Sequence, residues 1–310
     1  MLFRSDPYAV LAPPIVKGSP CTNLDKRTKD TGFLHKLNLT YKFSPDMLVY
    51  ATVSRGYRPG GINRRATLPP YEADFIDNFE AGFKTSWAND RIRFNGAVYQ
   101  LNWTDLQISV LGQNGLTQIQ NAGQARVRGF EAELWTRPTR GLTLTGSLSF
   151  NDAVITKDYC AVQPSYTGEP CAAGNILAPK GARLPVTARV KANALARYQF
   201  PLAGELTGHV QTALIYEGNR TTDLRTLEQG IKGDLPAYTT IDASLGVEGG
   251  MWTAEIFATN LFDKRAYSTI GVQCLETVCG APDASTGLDG KFYRTPIQPR
   301  TIGAKVGFRF

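Results

Sequence analysis

The carboxy-terminal ten residues constrain the fold more than any other stretch: Ile302, Ala304, Val306, Phe308 and Phe310 alternate without a break with Thr301, Gly303, Lys305, Gly307 and Arg309. Successive side chains of a strand point to opposite faces, so this spacing makes a ribbon that is apolar on one side and polar on the other. A helix would scatter the same apolar residues around its axis. The split recurs where Leu142, Leu144, Leu148 and Phe150 face away from Thr143, Thr145, Ser147 and Ser149, and where Ile241, Ala243, Leu245 and Val247 face away from Thr240, Asp242, Ser244 and Glu248. Phe79, Ala81, Phe83 and Trp87 separate likewise from Asn78, Glu80, Lys84 and Ser86. Only 47–58 leaves its faces ambiguous. Read this way, the chain holds about eleven strands, over 33–43, 47–58, 75–87, 91–109, 117–137, 142–152, 186–200, 204–218, 235–248, 251–268 and 298–310.

Many of these segments exceed ten residues. Strands of soluble domains run to about 5–6 residues, whereas tilted membrane strands need about 9–11, so the lengths predict an all-β chain that builds a transmembrane antiparallel β-barrel. The links agree. Ser44-Pro45-Asp46, Ala88-Asn89-Asp90, Pro138-Thr139-Arg140-Gly141, Pro201-Leu202-Ala203 and Gly249-Gly250 are tight, while 59–74, 110–116, 153–185, 219–234 and 269–297 are long, and the two kinds alternate. Outer-membrane barrels sort their connections in this manner, with short periplasmic turns and longer extracellular loops. Tyr41, Phe43, Trp87, Phe150, Tyr198, Phe200, Trp252 and Phe310 fall near proposed strand ends, where an interfacial girdle would place them.

Composition narrows the field by exclusion. No window approaches the roughly 18 consecutive apolar residues that a spanning helix requires, so any membrane role falls to strands. The formal net charge of +7 comes from Lys and Arg residues scattered along the chain, without the basic helix or dense run expected of a nucleic-acid partner. It suits the anionic outer leaflet equally well. Met1 to Val10 are interrupted by Arg4, Asp6 and Pro7, so no export signal is expected within them.

Residues 260–267, Asn260-Leu261-Phe262-Asp263-Lys264-Arg265-Ala266-Tyr267, placed on the penultimate strand, resemble the N-L-F-D-x-x-Y signature of TonB-dependent receptors: Asn260, Leu261, Phe262 and Asp263 match, and Tyr267 stands one position later than the signature's tyrosine. The alternating terminal strand ending in Phe310 is similar to that family's assembly signal. Two further segments agree: Tyr50-Ala51-Thr52-Val53-Ser54-Arg55-Gly56-Tyr57-Arg58-Pro59-Gly60-Gly61-Ile62-Asn63, and Asn121-Ala122-Gly123 followed by Val127-Arg128-Gly129-Phe130-Glu131-Ala132-Glu133. The resemblance implies about half of a 22-stranded barrel with a plugged lumen. Residues 1–310 would be its carboxy-terminal half, and the plug, the TonB-binding segment and the amino-terminal strands would lie elsewhere. Physics agrees that such a piece is incomplete, because unpaired strand edges in lipid cost several kcal/mol per group.

The five cysteines fit no zinc pattern. All fall on the proposed extracellular side, where oxidising conditions predict Cys160–Cys171 and Cys274–Cys279 bridges and leave Cys21 over. The alternative is five free thiols. His35 and His209 lie within strands, without a cluster that would hold a metal. Glu131 and Glu133 share a strand face and could pass for a catalytic pair, but alternation groups them with lumen-facing charges such as Arg93, Arg189 and Lys305. There is no catalytic constellation, and no cofactor is expected.

By resemblance, the intact protein is a transporter and not an enzyme: it binds a scarce large solute, usually a ferric siderophore, and admits it when the TonB complex pulls on the plug. Its further partners would be outer-membrane lipid and the barrel assembly machinery. Iron would arrive as part of the cargo. Anionic chelates attract arginine and aromatic groups on loops, which makes Arg58, Asn63, Arg64, Arg65 and Tyr71, with Arg220, Arg225, Tyr293 and Arg294, the candidate contacts. The competing readings are a passive pore or surface adhesin built on a barrel, and a soluble all-β binding protein.

Overall fold

In a computed structural model, described over residues 28–63, 70–111, 117–160, 171–172, 174–272 and 292–309, the chain is almost wholly β. Eleven strands make one antiparallel sheet, in the order β1 (Lys36–Ser44), β2 (Met47–Arg58), β3 (Asp74–Trp87), β4 (Ile92–Thr104), β7 (Ala125–Thr136), β8 (Leu142–Ile155), β11 (Val190–Pro201), β12 (Thr207–Glu217), β13 (Tyr238–Glu248), β14 (Trp252–Thr259) and β17 (Thr301–Phe308). Outside it lie three hairpins: β5 (Gln107–Leu111) with β6 (Thr117–Asn121), β9 (Tyr159–Cys160) with β10 (Ile176–Ala178), and β15 (Tyr267–Val272) with β16 (Phe292–Pro296). The single helix among the described residues, α1 (Thr226–Lys232), has seven residues. No helix there is long and apolar enough to cross a membrane.

Cross-strand register shows how the alternation is used. Ala51, Ala81, Val98, Phe130, Phe150 and Val190 are successive partners across six strands, and Tyr198, Val210, Leu245, Ile256 and Ala304 across five. Directly paired residues share a face, so one side of the sheet is apolar from edge to edge. The ambiguous segment is settled by the same pairing, with Val49, Ala51 and Val53 on the apolar side. Much of this face lacks protein cover: Val98 is 59% exposed, Leu245 51% and Ile256 59%. A soluble sheet buries such a face, and a barrel wall turns it to lipid.

The opposite face is polar and internally bonded. Tyr50 donates to Glu80 at 2.8 Å, Tyr99 bonds Asn151, and Glu255 accepts from His209 at 3.0 Å and pairs with Lys305 at 3.4 Å. Arg93 lies on this side beside Trp135. Arg189 does not join them: it reaches Asp152, which pairs with Arg128 in register with the apolar rows.

The short links fall at one end of the sheet and the long connections at the other, as the alternating lengths predicted. Aromatic residues gather at the short-link end, where Tyr41 meets Phe43 edge-on, Tyr198 stacks on Phe200, and Trp87 and Trp252 sit exposed.

Three expected strands are corrected. The segment 91–109 breaks at Asp105, whose φ of 56° is left-handed, and 117–137 breaks at Gly123, where φ is 81°. Both tails leave the sheet to pair with each other as β5 and β6. The segment 251–268 stops at Thr259, because Asn260 and Asp263 take φ of 48° and 52°; the signature octapeptide is a turn that leads into β15, not part of the penultimate strand. Phe310 lies outside the described residues.

Candidate functional site: the cross-linked loop cap

Among the described residues, the buried apolar core lies not in the body of the sheet but at one end of it, where β7 begins at Ala125 and β8 ends at Ile155. Leu106, Ala122, Ala125, Ile155, Tyr159, Ala178 and Leu224 form it, drawn mainly from three long connections at one end. Long loops with no core of their own are mobile; these instead pack on one another over the mouth of the sheet.

Polar side chains lock the first two connections together. Buried Asp74 accepts from Arg58 at 2.5 Å and from the Gln107 amide at 3.1 Å, while the Gln107 side chain donates to Pro59 and Glu72 carbonyls at 3.0 and 2.9 Å. Asn121 takes the Glu72 amide at 2.9 Å and donates to the Glu72 and Asp105 carbonyls at 3.0 and 2.7 Å. Asn63 exchanges a pair of hydrogen bonds with Ile119. In this setting burial raises the Glu72 carboxyl above its usual range, with help from Asp105 and Asp30. Burial likewise raises Asp105; Lys157 opposes the shift and Asp74 adds to it.

The next two connections join through Thr221 and Arg183: the Val186 amide donates to the Thr221 carbonyl at 2.8 Å, Thr221 Oγ1 to the Leu184 carbonyl at 3.4 Å, and Arg183 to the Asn219 carbonyl at 3.4 Å. Tyr159 donates to Gln120 at 2.7 Å, and burial pushes its hydroxyl up to about 12. Cys160 and Cys171 are disulfide-bonded, with Cα atoms 5.7 Å apart. Asp223 accepts from Arg225 at 3.1 Å and Lys232 at 2.5 Å, and Arg225 pairs with Glu228 at 2.7 Å. Burial works against both members of the Asp223–Arg225 pair, but their hydrogen bonds outweigh it, leaving the carboxyl below and the guanidinium above their ordinary values. Arg220, 4% exposed, donates to the Tyr267 and Ser268 carbonyls at 3.0 and 3.1 Å and lies over the Tyr238 ring, so it ties this layer to the β15–β16 hairpin.

The candidate contacts therefore divide. Arg58, Asn63, Arg220 and Arg225 are engaged in holding the cap together, and the Tyr71 hydroxyl end lies against Gly61, which its backbone also bridges. Tyr293 and Arg294 are exposed, with Arg294 set over the Tyr267 ring at 5.5 Å. Arg64, Arg65, Cys274 and Cys279 lie outside the described residues. Sequence reading missed Asp74, Gln107, Asn121 and Tyr159. Asn121 and Gly123, turn-forming residues inside a long alternating run, were the available signal.

The signature turn is a second structural device. Asn260 accepts the Lys264 amide at 2.8 Å and donates to the Lys264 and Gln298 carbonyls at 3.0 and 2.9 Å, while its own amide bonds Asp242 at 2.8 Å. Asp263 takes the Arg300 amide at 3.1 Å and the Arg265 guanidinium at 2.7 Å, which together hold its carboxyl below the usual range. The motif thus pins the top of β14 to β13 and to the segment entering β17.

Known proteins share this fold. The chain is 25% identical over 242 residues to the metal-pseudopaline receptor CntO of Pseudomonas aeruginosa, covering 75% of this chain and 30% of that receptor. It is 24% identical over 262 residues to the pesticin receptor of Yersinia enterocolitica, covering 79% and 33%. The chain thus spans about a third of the length of these relatives. Among solved structures, the ferric yersiniabactin uptake receptor FyuA from Yersinia pestis superposes with a TM-score of 0.65 at 22% identity, over 89% of this chain and 37% of that one. The siderophore receptor PiuA from Acinetobacter baumannii superposes at 0.63 and 18%, over 89% and 35%. The family model described as TonB dependent receptor-like, beta-barrel matches residues 16–261. Nearly four-fifths of the chain falls within that match, and the chain belongs to the TonB-dependent receptor β-barrel family of the outer membrane.

Proposed function

We propose that the protein built on this chain takes up a scarce, large, anionic metal chelate of the ferric siderophore type across the outer membrane, driven by TonB. The observation that carries the reading is the pairing of a lipid-facing sheet with a cap whose connections are hydrogen-bonded into one layer. A rigid layer of that kind suits selective capture of a large solute better than free passage. Relatives named as receptors for metal-pseudopaline and ferric yersiniabactin support the cargo class. In this reading residues 1–310 supply eleven of twenty-two strands, and the remaining strands, the plug and the TonB-binding segment complete the transporter. Cargo meets exposed Tyr293 and Arg294 first, while Arg58, Asn63, Arg220 and Arg225 serve by keeping the surface in shape. The protein acts without chemistry on its cargo.

Uptake of radiolabelled ferric chelates by cells with and without this gene, in backgrounds with and without TonB, tests the reading. Transport should require both genes and weaken several-fold in a Tyr293→Ala/Arg294→Ala variant. Uptake that persists without TonB would mark a passive pore and overturn the proposal.

A further inference from the structure

The outward face of the sheet changes character along two rows of paired residues on β2, β3, β4, β7 and β8. Below them runs the apolar row Ala51, Ala81, Val98, Phe130 and Phe150. The next row towards the cap is Val53, Phe79, Gln100, Arg128 and Asp152, and the one after it is Arg55, Asp77, Asn102, Arg126 and Val154. Parity keeps all three rows on the side that the barrel turns to lipid.

Height places the transition. A strand tilted by about 40° climbs about 2.5 Å per residue, so an outer-membrane barrel's roughly 25 Å apolar band takes about ten residues. Counting along β4 from Ile92, which pairs with the exposed Trp87 at the short-link end, reaches Gln100 and Asn102. The polar rows thus sit at the headgroup level of the outer leaflet.

Their charge is basic and incompletely used. Arg55 pairs with Asp77 at 3.3 Å and Arg189 with Asp152 at 2.9 Å. Arg126 and Arg128, two positions apart on one strand face, pair with no carboxylate among the described residues. Arg128 donates only its Nε to Gln100, at 2.8 Å, and is exposed; the buried Arg126 Nε has no hydrogen-bond partner. A guanidinium carries five donors and matches phosphate oxygens in its fork geometry.

We propose that this strip binds a membrane lipid with a phosphorylated headgroup, Arg126 and Arg128 contacting the phosphate while the acyl chains lie along Val98, Phe130 and Phe150. The proposal rests on the membrane-barrel reading above. Free phosphate would lack the apolar half of the site, which sets an anchored amphiphile apart as the occupant. The site is separate from the cap: none of its arginines takes part in the cap's hydrogen-bond network.

The test uses the protein purified from outer membranes in dodecyl maltoside, titrated with dipalmitoyl phosphatidic acid and, as an uncharged control, dipalmitoyl glycerol, read by native mass spectrometry. Phosphatidic acid should bind more tightly than the diacylglycerol, and Arg126→Gln/Arg128→Gln should weaken it about tenfold. Arg126→Lys/Arg128→Lys should restore part of the loss, and Arg140→Gln, in a short link, should change nothing. Millimolar inorganic phosphate should not displace the lipid. Equal affinity in the double glutamine variant, with its heat-modifiable folded band retained, overturns the proposal, and so does full displacement by inorganic phosphate. If the glutamine variant loses the folded band, the lysine variant carries the comparison, through its salt dependence and its preference for phosphatidic acid over diacylglycerol. A protein absent from the outer-membrane fraction would instead overturn the barrel reading, and this inference with it.

Discussion

The side chain of Asn63 behaves as one residue of a strand towards Ile119, donating to its carbonyl at 2.9 Å and accepting its amide at 2.8 Å. Both groups belong to a loop layer in which Asn63 itself is only 6% exposed. Asn63→Ala leaves an amide and a carbonyl without partners, at a cost of about 1–3 kcal/mol. The expected outcome is faster amide exchange at Ile119 and Gln120, with exchange in β3 and β4 unchanged. Equal protection in both proteins would show that water replaces the side chain.

The Cys160–Cys171 bridge closes a loop of sequence separation 11. On chain-entropy grounds a loop of that size is stabilised by about 3 kcal/mol. Peptide mapping without reduction should recover the two residues linked, and Cys160→Ser/Cys171→Ser should loosen the segment around Tyr159 without unfolding the sheet. Recovery of both residues as free thiols would contradict the bridge. The same map tests the proposed Cys274–Cys279 pair.

Two groups in the cap make its order depend on pH in opposite directions. Asp223 is depressed, so its contribution is present above the unfolded value of about 3.9 and is lost as pH falls through the lower folded value. Tyr159 is raised to about 12, so its contribution is present below about 10 and is lost as pH climbs towards 12. Amide exchange at Ile155 and Leu224 should be slow from about pH 5 to 10 after correction for intrinsic rates, and should quicken outside that window. Asp223→Asn should remove the acid limb alone.

Asn260 combines a left-handed φ of 48° with three side-chain hydrogen bonds and 4% exposure. Asn260→Ala forfeits all three bonds and strains the turn, at a cost of about 2–4 kcal/mol. The temperature at which the folded band disappears on unheated electrophoresis should drop. Asn260→Asp, which keeps the acceptor for Lys264, should fall between the two. A variant as heat-resistant as the parent would leave the motif without a structural role.

The alternation in the sequence was enough to determine that eleven segments build the sheet, though not where three of them leave it, and to determine the sorting of links by length and the apolar lipid face, because period-two patterning and turn residues are local properties. It also supplied the signature residues, though their position within an alternating run hid that Asn260 and Asp263 turn the chain out of the sheet. Only the tertiary structure decided what the loop residues do. Arg58, Asn63, Arg220 and Arg225 read as free ligand contacts because exposed arginine and asparagine look alike whether or not something distant completes them. For Arg58, Asn63 and Arg220 the partners lie up to 56 positions away, at Gln107, Ile119 and Tyr267, whereas Arg225 pairs within its own connection with Asp223 and Glu228. Hydrogen bonds between separate connections are set by how the strands beneath bring those connections together, and no local pattern encodes that meeting.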